Sequence, residues 1–144
     1  MAGQTYATHR QYVFVYHVVL FLLLLLTLGG SLMNLYKSIG DEKRIYSASL
    51  IFVLTFGVFL LSFLCRIFAL KAQDRAIRAE ENLRHYVLTG KLLDSRLSIH
   101  QAIGLRFASD AEFPALAQKA ASENLPPDAI KRAIKSWKPD TYRV

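Results

Sequence analysis

Two long runs without a charged residue constrain this chain more than any other feature of its sequence. Residues 11–36 and residues 45–65 contain no Asp, Glu, Lys or Arg, and they are 26 and 21 residues long. A helix needs about 20 apolar residues to cross the hydrocarbon core of a bilayer. Each run therefore predicts a transmembrane helix, and this excludes a simple soluble enzyme.

The segment between the runs predicts a helical hairpin. Residues 34–44 include Lys37, Gly40 and Asp41, and they are too few and too polar to form more than a tight loop. We place the spans at about residues 12–33 and 45–68, within a hairpin of residues 12–70 that follows an N-terminal segment, 1–11. A cleaved signal peptide is disfavoured, because its apolar stretch is about 7 to 15 residues.

Basic residues near the span ends predict the orientation. Six lie on the side of the termini, against Lys37, Lys43 and Arg44 in the loop. The positive-inside rule then places both termini, and the region 71–144, in the cytoplasm. The six are Arg10, Arg66, Lys71, Arg75, Arg78 and Arg84.

The rest of the chain predicts further helices and no strand, which makes the fold class all-α. Residues 70–88 lack Gly and Pro, so we expect the second span to continue as one helix to Thr89 and Gly90, where glycine suits a helix C-terminus. Three short helices should follow. Ser98 with Gln101, and Ser109 with Glu112, form capping patterns, and Pro127 suits a first helical position.

Apolar residues recur at helical spacing in each short helix. The last helix should run to Pro139, with Ile130, Ile134 and Trp137 on one face. Helices this short need a surface to pack against. We expect the extended second helix to supply it, although a neighbouring subunit or a larger membrane complex would serve equally. The contact residues predicted on that helix are Ala76, Ala79, Leu83, Tyr86 and Val87.

Small and polar residues predict how the two spans pack, because close helix approach in lipid favours small side chains. Phenylalanines form a second stripe on the second span, which faces either lipid tails or a partner such as another helix or an isoprenoid tail. The packing residues are Thr27, Gly30, Ser31 and Asn34 on the first span, and Ala48, Thr55 and Ser62 on the second. The aromatic stripe is Phe52, Phe56, Phe59 and Phe63.

Ionisable residues near membrane surfaces are candidates for headgroup or partner contacts. His17 and Arg66 both fall near the cytoplasmic ends of their spans, where they could approach each other. Lys131, Lys135 and Lys138 should share one face of the last helix, which could meet anionic headgroups, although a solvated charged face is the simpler interpretation.

No catalytic, cofactor or metal pattern is present in the sequence. It contains no phosphate-binding or dinucleotide-binding glycine motif, no nucleophile elbow and no Cys/His ligand spacing. Cys65 is the single cysteine, which excludes a disulfide scaffold within the chain. We therefore predict no enzymatic activity and no cofactor, and we expect no nucleic-acid partner.

The C-terminal half resembles a known family. The pieces FALKAQDRAIRAEENLRHYVLTGKLLD, RFASDAEFP and SWKPDTYRV are similar to a bacterial family of small two-span membrane proteins known only as a domain of unknown function. This resemblance implies a bacterial inner membrane. It implies no activity, so no site residue is carried over from it.

Three functions fit these features. The first is a structural or accessory subunit that self-associates or joins a larger membrane complex through its helices. The second is an oligomeric channel or transporter component, with a pore lined by the polar residues of the spans. The third is a membrane-tethered regulator that binds an anionic ligand through its basic last helix. We favour the first.

Overall fold

The computed structural model describes Thr5, Tyr6 and residues 12–140. Most of the predicted segment 1–11 lies outside the described residues. A π-helical stretch, Val15–Leu20, leads into α1, Phe21–Lys37, and α2 spans Glu42–Thr89. Three short helices follow: α3, Ile99–Leu105; α4, Phe113–Ser122; and α5, Pro127–Ala133. The described residues form no strand, only an isolated bridge between Ala108 and Trp137, so the all-α class is confirmed.

The described residues form two compact units. The first, called the hairpin below, is Tyr12–Ala69. The second, called the lobe, contains residues 70–140 together with Thr5 and Tyr6. Helix α2 contributes to both units, because its 48 residues continue without interruption from the hairpin into the lobe.

Helices α1 and α2 are joined by a turn shorter than the predicted loop 34–44. Only residues 38–41 lie between the helices, and Gly40 takes a φ of +92° that favours glycine. Asp41 caps α2, since its side chain accepts hydrogen bonds from the backbone amides of Lys43 and Arg44 at 3.0 and 3.3 Å. The chain therefore reverses direction within four residues.

In the part of the chain that the structure describes, two helices are long and apolar enough to cross a membrane: Val15–Lys37 and α2. Their most apolar windows are largely exposed, with 11% and 6% of the residues buried. A helix in the core of a soluble domain hides its apolar side chains from water. In this chain, most apolar side chains of these two windows are exposed.

Local sequence signals set several helix ends as predicted. Helix α2 ends at Thr89, and Gly90 follows with a φ of +73° and donates its amide to the Tyr86 carbonyl at 2.8 Å. Ser98 and Gln101 form a full capping box at the start of α3. Pro127 is the first residue of α5. These three predictions are confirmed, because each depends on contacts within a few residues.

The second capping pattern is displaced from its helix. The Ser109 amide donates to the Glu112 carboxylate at 3.4 Å, but residues 110–112 form turns and α4 begins at Phe113. Phe107 lies beyond the end of α3 and is buried in the lobe core. The predicted helices thus exist, with shorter bounds.

The predicted extent of the last helix is wrong. Helix α5 ends at Ala133, and Ile134 has extended backbone angles. The Glu112 carboxylate accepts the amides of Lys135 and Ser136 at 3.1 and 3.0 Å, and Lys138 donates its amide to the Phe107 carbonyl at 2.8 Å. These long-range bonds replace the helical bonds that a helix to Pro139 would need.

The core of the lobe lies between α3, α4 and α5. Its largest fully buried side chains are Phe107, Phe113, Leu97, Leu105 and Ile130. Gly104 allows α3 and α5 to approach, because a Cβ there would lie 3.3 Å from the Pro127 carbonyl oxygen and 3.5 Å from the Ile130 side chain. Trp137 packs against this core, with its ring 5.0 Å from that of Phe107.

Candidate functional site

The two helices of the hairpin meet along a seam with alternating three- and four-residue spacing. The Tyr16 hydroxyl donates to the Ser62 carbonyl at 2.9 Å, and the rings of Phe21 and Phe59 lie 6.5 Å apart. This spacing is typical of helices that pack side by side at a shallow angle. The buried and half-buried α2 residues on it are Ile45, Ala48, Phe52, Thr55, Phe59, Ser62 and Arg66.

The predicted packing residues lie between the two helices on α2 but mostly do not on α1. On α2, Ala48 is buried, and Thr55 and Ser62 are half-buried, all on the seam. Of the four residues predicted on α1, only Ser31 is buried, in register with buried Leu24 and Ser38. The other three face away from α2, so they are not packing residues of this hairpin: Thr27, Gly30 and Asn34 are exposed.

Gly30 is exposed while Ser31 is buried because the two residues lie on different sides of α1. It precedes Ser31 by one residue, and so lies about 100° around the helix from it. A Cβ built on Gly30 meets nothing within 4 Å. Leu24, which is larger than the predicted small residues, occupies the seam instead and is buried there.

Two of the four rings in the aromatic stripe of α2 lie on the seam, and two lie outside it. Phe52 and Phe59 are half-buried on the seam, whereas Phe56 and Phe63 are exposed at 44% and 43%. Stacking joins Phe52 to Phe56, and an edge contact joins Phe59 to Phe63. Only the outer two rings are available to lipid or to a partner.

His17 and Arg66 are linked through the ring of Tyr16. The His17 ring packs against Tyr16 at 5.2 Å, and the Arg66 guanidinium lies 5.6 Å from the centre of the same ring. The His17 Nδ1 lies 2.8 Å from the Val13 carbonyl oxygen. Tyr16 thus joins both ionisable residues and the α2 backbone.

The hydroxyls of the hairpin are engaged within their own helices. Thr27 donates to the Leu23 carbonyl at 2.9 Å, and Thr55 donates to Ile51 at 2.8 Å. Ser31 and Ser62 likewise donate to carbonyls three residues earlier. Their donor hydrogens therefore serve the helix backbone.

In the lobe, α2 uses its polar side to hold the short helices. Arg78 donates to the Leu97 carbonyl at 2.9 Å, and Asn82 accepts the Leu93 amide at 2.9 Å. The His85 Nδ1 lies 2.7 Å from the Lys91 carbonyl oxygen. Ile77 is buried on the same side. Most of these contacts reach main-chain atoms, which hydropathy patterns do not reveal.

Arg84 is the centre of this contact. Its guanidinium bonds to the Ala108 carbonyl, and it pairs with Glu81 at 2.9 Å and with Asp110 at 2.6 Å. It also lies 4.4 Å from the centre of the Phe113 ring. Charge-assisted bonds of this kind are about twice as strong as neutral ones. From the sequence, Arg84 was predicted only as one of six basic residues near the span ends, and this role was not predicted.

Burial and charge shift the carboxylates around Arg84 in opposite directions. Glu81 is buried, and the loss of hydration raises its pKa although Arg84 opposes the shift. Asp110 is exposed, and its hydrogen bond to Arg84 lowers its pKa. The Arg84 guanidinium therefore pairs with one carboxylate whose pKa is raised and with another whose pKa is lowered.

The opposite side of α2 in the lobe is apolar and uncovered. The predicted packing surface on this side is wrong: Leu83, Tyr86 and Val87 are exposed at 61%, 52% and 74%, and Ala76 and Ala79 are exposed as well. The rest of the lobe lies on the polar side, because Arg78, Asn82 and Arg84 bond to the backbone of the segments before and after α3. Within the described residues the apolar side stays exposed, and we call it the free face of α2.

A shallow groove of about 350 Å³ borders the free face. Leu83, Val87 and Leu88 of α2 form one wall, and Asp110 and Lys138 line the other side. The groove joins exposed apolar side chains to charges at its edge. This combination is common where proteins bind other proteins.

The predicted basic face is not formed. Lys131 lies in α5, whereas Lys135 and Lys138 follow the end of that helix in non-helical chain. Lys138 lines the groove beside α2, and the Lys135 amide is held by Glu112. Within the described part of the chain, no group of three or more His, Cys, Asp or Glu side chains is arranged to hold a metal ion.

A family model described as "Family of unknown function (DUF6526)" matches residues 1–144. The chain belongs to this family. No curated protein and no solved structure matches it. The resemblance to a family of unknown function is thus confirmed, and the match covers the residues of both the hairpin and the lobe.

Proposed function

We propose that this chain is a small two-span protein of a bacterial inner membrane that acts as a structural or accessory subunit. In this proposal the hairpin anchors the chain, both termini are cytoplasmic, and the lobe binds another protein. The observation that carries the proposal is the free face of α2, where Leu83, Tyr86 and Val87 are exposed side by side.

The hairpin supports the membrane part of the proposal. Both of its apolar windows are long enough to span a bilayer, and few of their residues are buried within the protein. Exposed apolar surface of this extent is unfavourable in water and favourable in lipid. The excess of basic residues on the side of the termini supports a cytoplasmic lobe.

The free face supports the binding part. A helix in a soluble lobe normally turns its apolar side toward the core. Helix α2 turns its polar side to the lobe, with Arg78, Asn82 and Arg84 as the contacts. The apolar side is therefore available to a partner.

Purification of the tagged full chain in a gentle detergent tests the binding proposal. We expect the native chain to have a mass above that of a monomer, through a second copy or a stoichiometric partner. Leu83→Glu should abolish the extra mass, and Gln118→Glu, at an exposed position of α4, should preserve it. A native chain that purifies alone as a monomer would contradict the proposal.

Membrane location and orientation need a separate test. The chain should remain in the membrane pellet after alkaline extraction. In a Cys65→Ser background, Gln118→Cys should react with an impermeant maleimide only after the cells are opened. Labelling in intact cells would place the lobe outside.

A further inference from the structure

We infer that the partner of the free face is a second copy of this chain, aligned in parallel. This inference rests on the proposed function, because it assumes a membrane-anchored lobe that binds through α2. It adds the identity of the partner, the register of the contact and the charged pairs that select the parallel arrangement.

The spacing of the exposed residues gives the register. Five exposed residues of the free face follow one another at alternating intervals of four and three residues over two heptads, which is the pattern of a two-stranded coiled coil. All five are exposed, and they lie on the side of α2 opposite buried Ile77 and Glu81. In chain order these residues are Ala72, Ala76, Ala79, Leu83 and Tyr86. They form a second seam, on the lobe part of α2 and separate from the seam inside the hairpin.

The size of the side chains favours a close contact between helices. Three alanines at the start of the seam allow two helix backbones to approach closely. Leu83 and Tyr86 add most of the apolar area, since they expose 61% and 52% of their surface. Burying such side chains is the main favourable term in association.

The flanking charges favour a second copy over other partners. Arg75 lies on one side of the seam and Glu80 on the other, five residues later, and both side chains are exposed. In a parallel pair of heptad helices, a residue at the g position faces the e position five residues later on the partner. Arg75 of each copy would therefore face Glu80 of the other, which gives two symmetric ion pairs.

The same charges disfavour the antiparallel arrangement. In antiparallel heptad helices, g positions face g positions and e positions face e positions. Arg75 would then face the side of the other copy that carries its Arg75, and Glu80 would face the side that carries its Glu80. Like charges at such positions are destabilising. Copies inserted in one membrane with the same orientation meet in parallel, and the charges suit that geometry.

The short length of the seam is compatible with a stable pair. An isolated coiled coil of two heptads is weak, because helix formation itself is costly at that length. In this chain α2 is already ordered by the lobe, through Arg78, Asn82 and Arg84. Anchoring in one membrane also raises the effective concentration of the two copies.

Disulfide cross-linking of the full chain in membranes tests the register. In a Cys65→Ser background, we expect oxidation to give covalent dimers for Ala72→Cys and for Tyr86→Cys, at opposite ends of the seam. Lys71→Cys is the control, since Lys71 is exposed but lies about 100° around α2 from Ala72. Equal cross-linking at Lys71 and Ala72 would overturn the inference, and so would failure at both ends of the seam.

Charge reversal tests the two ion pairs. Arg75→Glu and Glu80→Arg should each lower the cross-linked fraction of Ala72→Cys by about fivefold, because attraction becomes repulsion at both symmetric sites. The double variant should restore cross-linking. Unchanged Trp137 fluorescence would show that the lobe of each variant is folded. Equal dimer fractions in all four proteins would contradict the pairing.

Capture between two differently tagged copies separates this inference from the proposed function. We expect one tag to retrieve the other copy, and Leu83→Glu to prevent retrieval. If the copies do not retrieve each other while Leu83→Glu still removes a different stoichiometric protein, the second-copy inference fails and the proposed function stands. If neither association is present, both fail.

Discussion

The Arg84 guanidinium lies 4.4 Å from the centre of the Phe113 ring, and this contact connects α2 to the first residue of α4. The same guanidinium bonds to the Ala108 carbonyl and to two carboxylates. One side chain thus joins the polar side of α2 to the lobe core. Its removal should affect the whole lobe.

Arg84→Ala should lower the unfolding free energy of the lobe by about 3 kcal/mol, because Glu81 would remain buried without its partner. Unfolding of the detergent-solubilised full chain can be followed by the fluorescence of Trp137, the single tryptophan. Arg96→Ala is the matched control, since Arg96 pairs with Asp94 on the exposed surface. Similar losses of stability in the two variants would show that Arg84 acts only as a surface ion pair.

Glu81 should give the lobe a pH dependence that Glu81→Gln lacks. The native pKa of Glu81 is raised above its usual 4.5 by burial, so the folded state binds its proton more tightly than the unfolded state. Stability attributable to Glu81 therefore rises as the pH falls through its native pKa, and it levels off below 4.5. The native chain should gain stability relative to Glu81→Gln over that window.

Asp110 provides the comparison for this pH experiment. Arg84 lowers its pKa from the usual 3.8, so its contribution to stability is present above that value and is lost at lower pH. The two carboxylates therefore act in different pH windows. A Glu81→Gln difference that does not change between pH 7 and 4.5 would show that Glu81 keeps an ordinary pKa.

Glu112→Ala should release the segment after α5. Its carboxylate holds the amides of Lys135 and Ser136, and the loss of both bonds should cost about 2 kcal/mol. Hydrogen exchange should accelerate at these two amides more than at Ile130, whose amide is bonded to the Pro126 carbonyl. Uniform acceleration across the lobe would instead indicate global destabilisation.

Tyr16→Phe should weaken the hairpin by about 1 kcal/mol, because it removes the bond to the Ser62 carbonyl and keeps the ring beside Arg66. Unfolding in mixed detergent micelles measures this difference. Tyr46→Phe is the control, since Tyr46 is 71% exposed at the other end of the hairpin. Equal effects at the two positions would argue against the bond between the helices.

The sequence predicted those features that depend on neighbouring residues. Gly90 ends α2, Ser98 and Gln101 cap α3, and Pro127 starts α5, because each signal acts within one helical turn. The class of the fold followed from the same local patterns and from the two apolar runs.

Features that depend on distant residues were predicted poorly. Ile134 and Trp137 continue the apolar spacing of α5, but Glu112 captures the following amides and ends the helix. The free face was assigned to the lobe because it is apolar, whereas Arg78 and Arg84 fix the opposite side through backbone carbonyls. Hydropathy does not indicate which carbonyls an arginine will reach.

The continuity of α2 has a consequence for biosynthesis. The ribosome completes this helix before it makes α3, α4 and α5, and the carbonyls of Leu97 and Ala108 later bind arginines that were synthesised earlier. The nascent lobe thus folds onto a template that has already emerged. A fragment that starts after Thr89 would lack that template, so we expect it to be degraded or to aggregate when it is expressed alone.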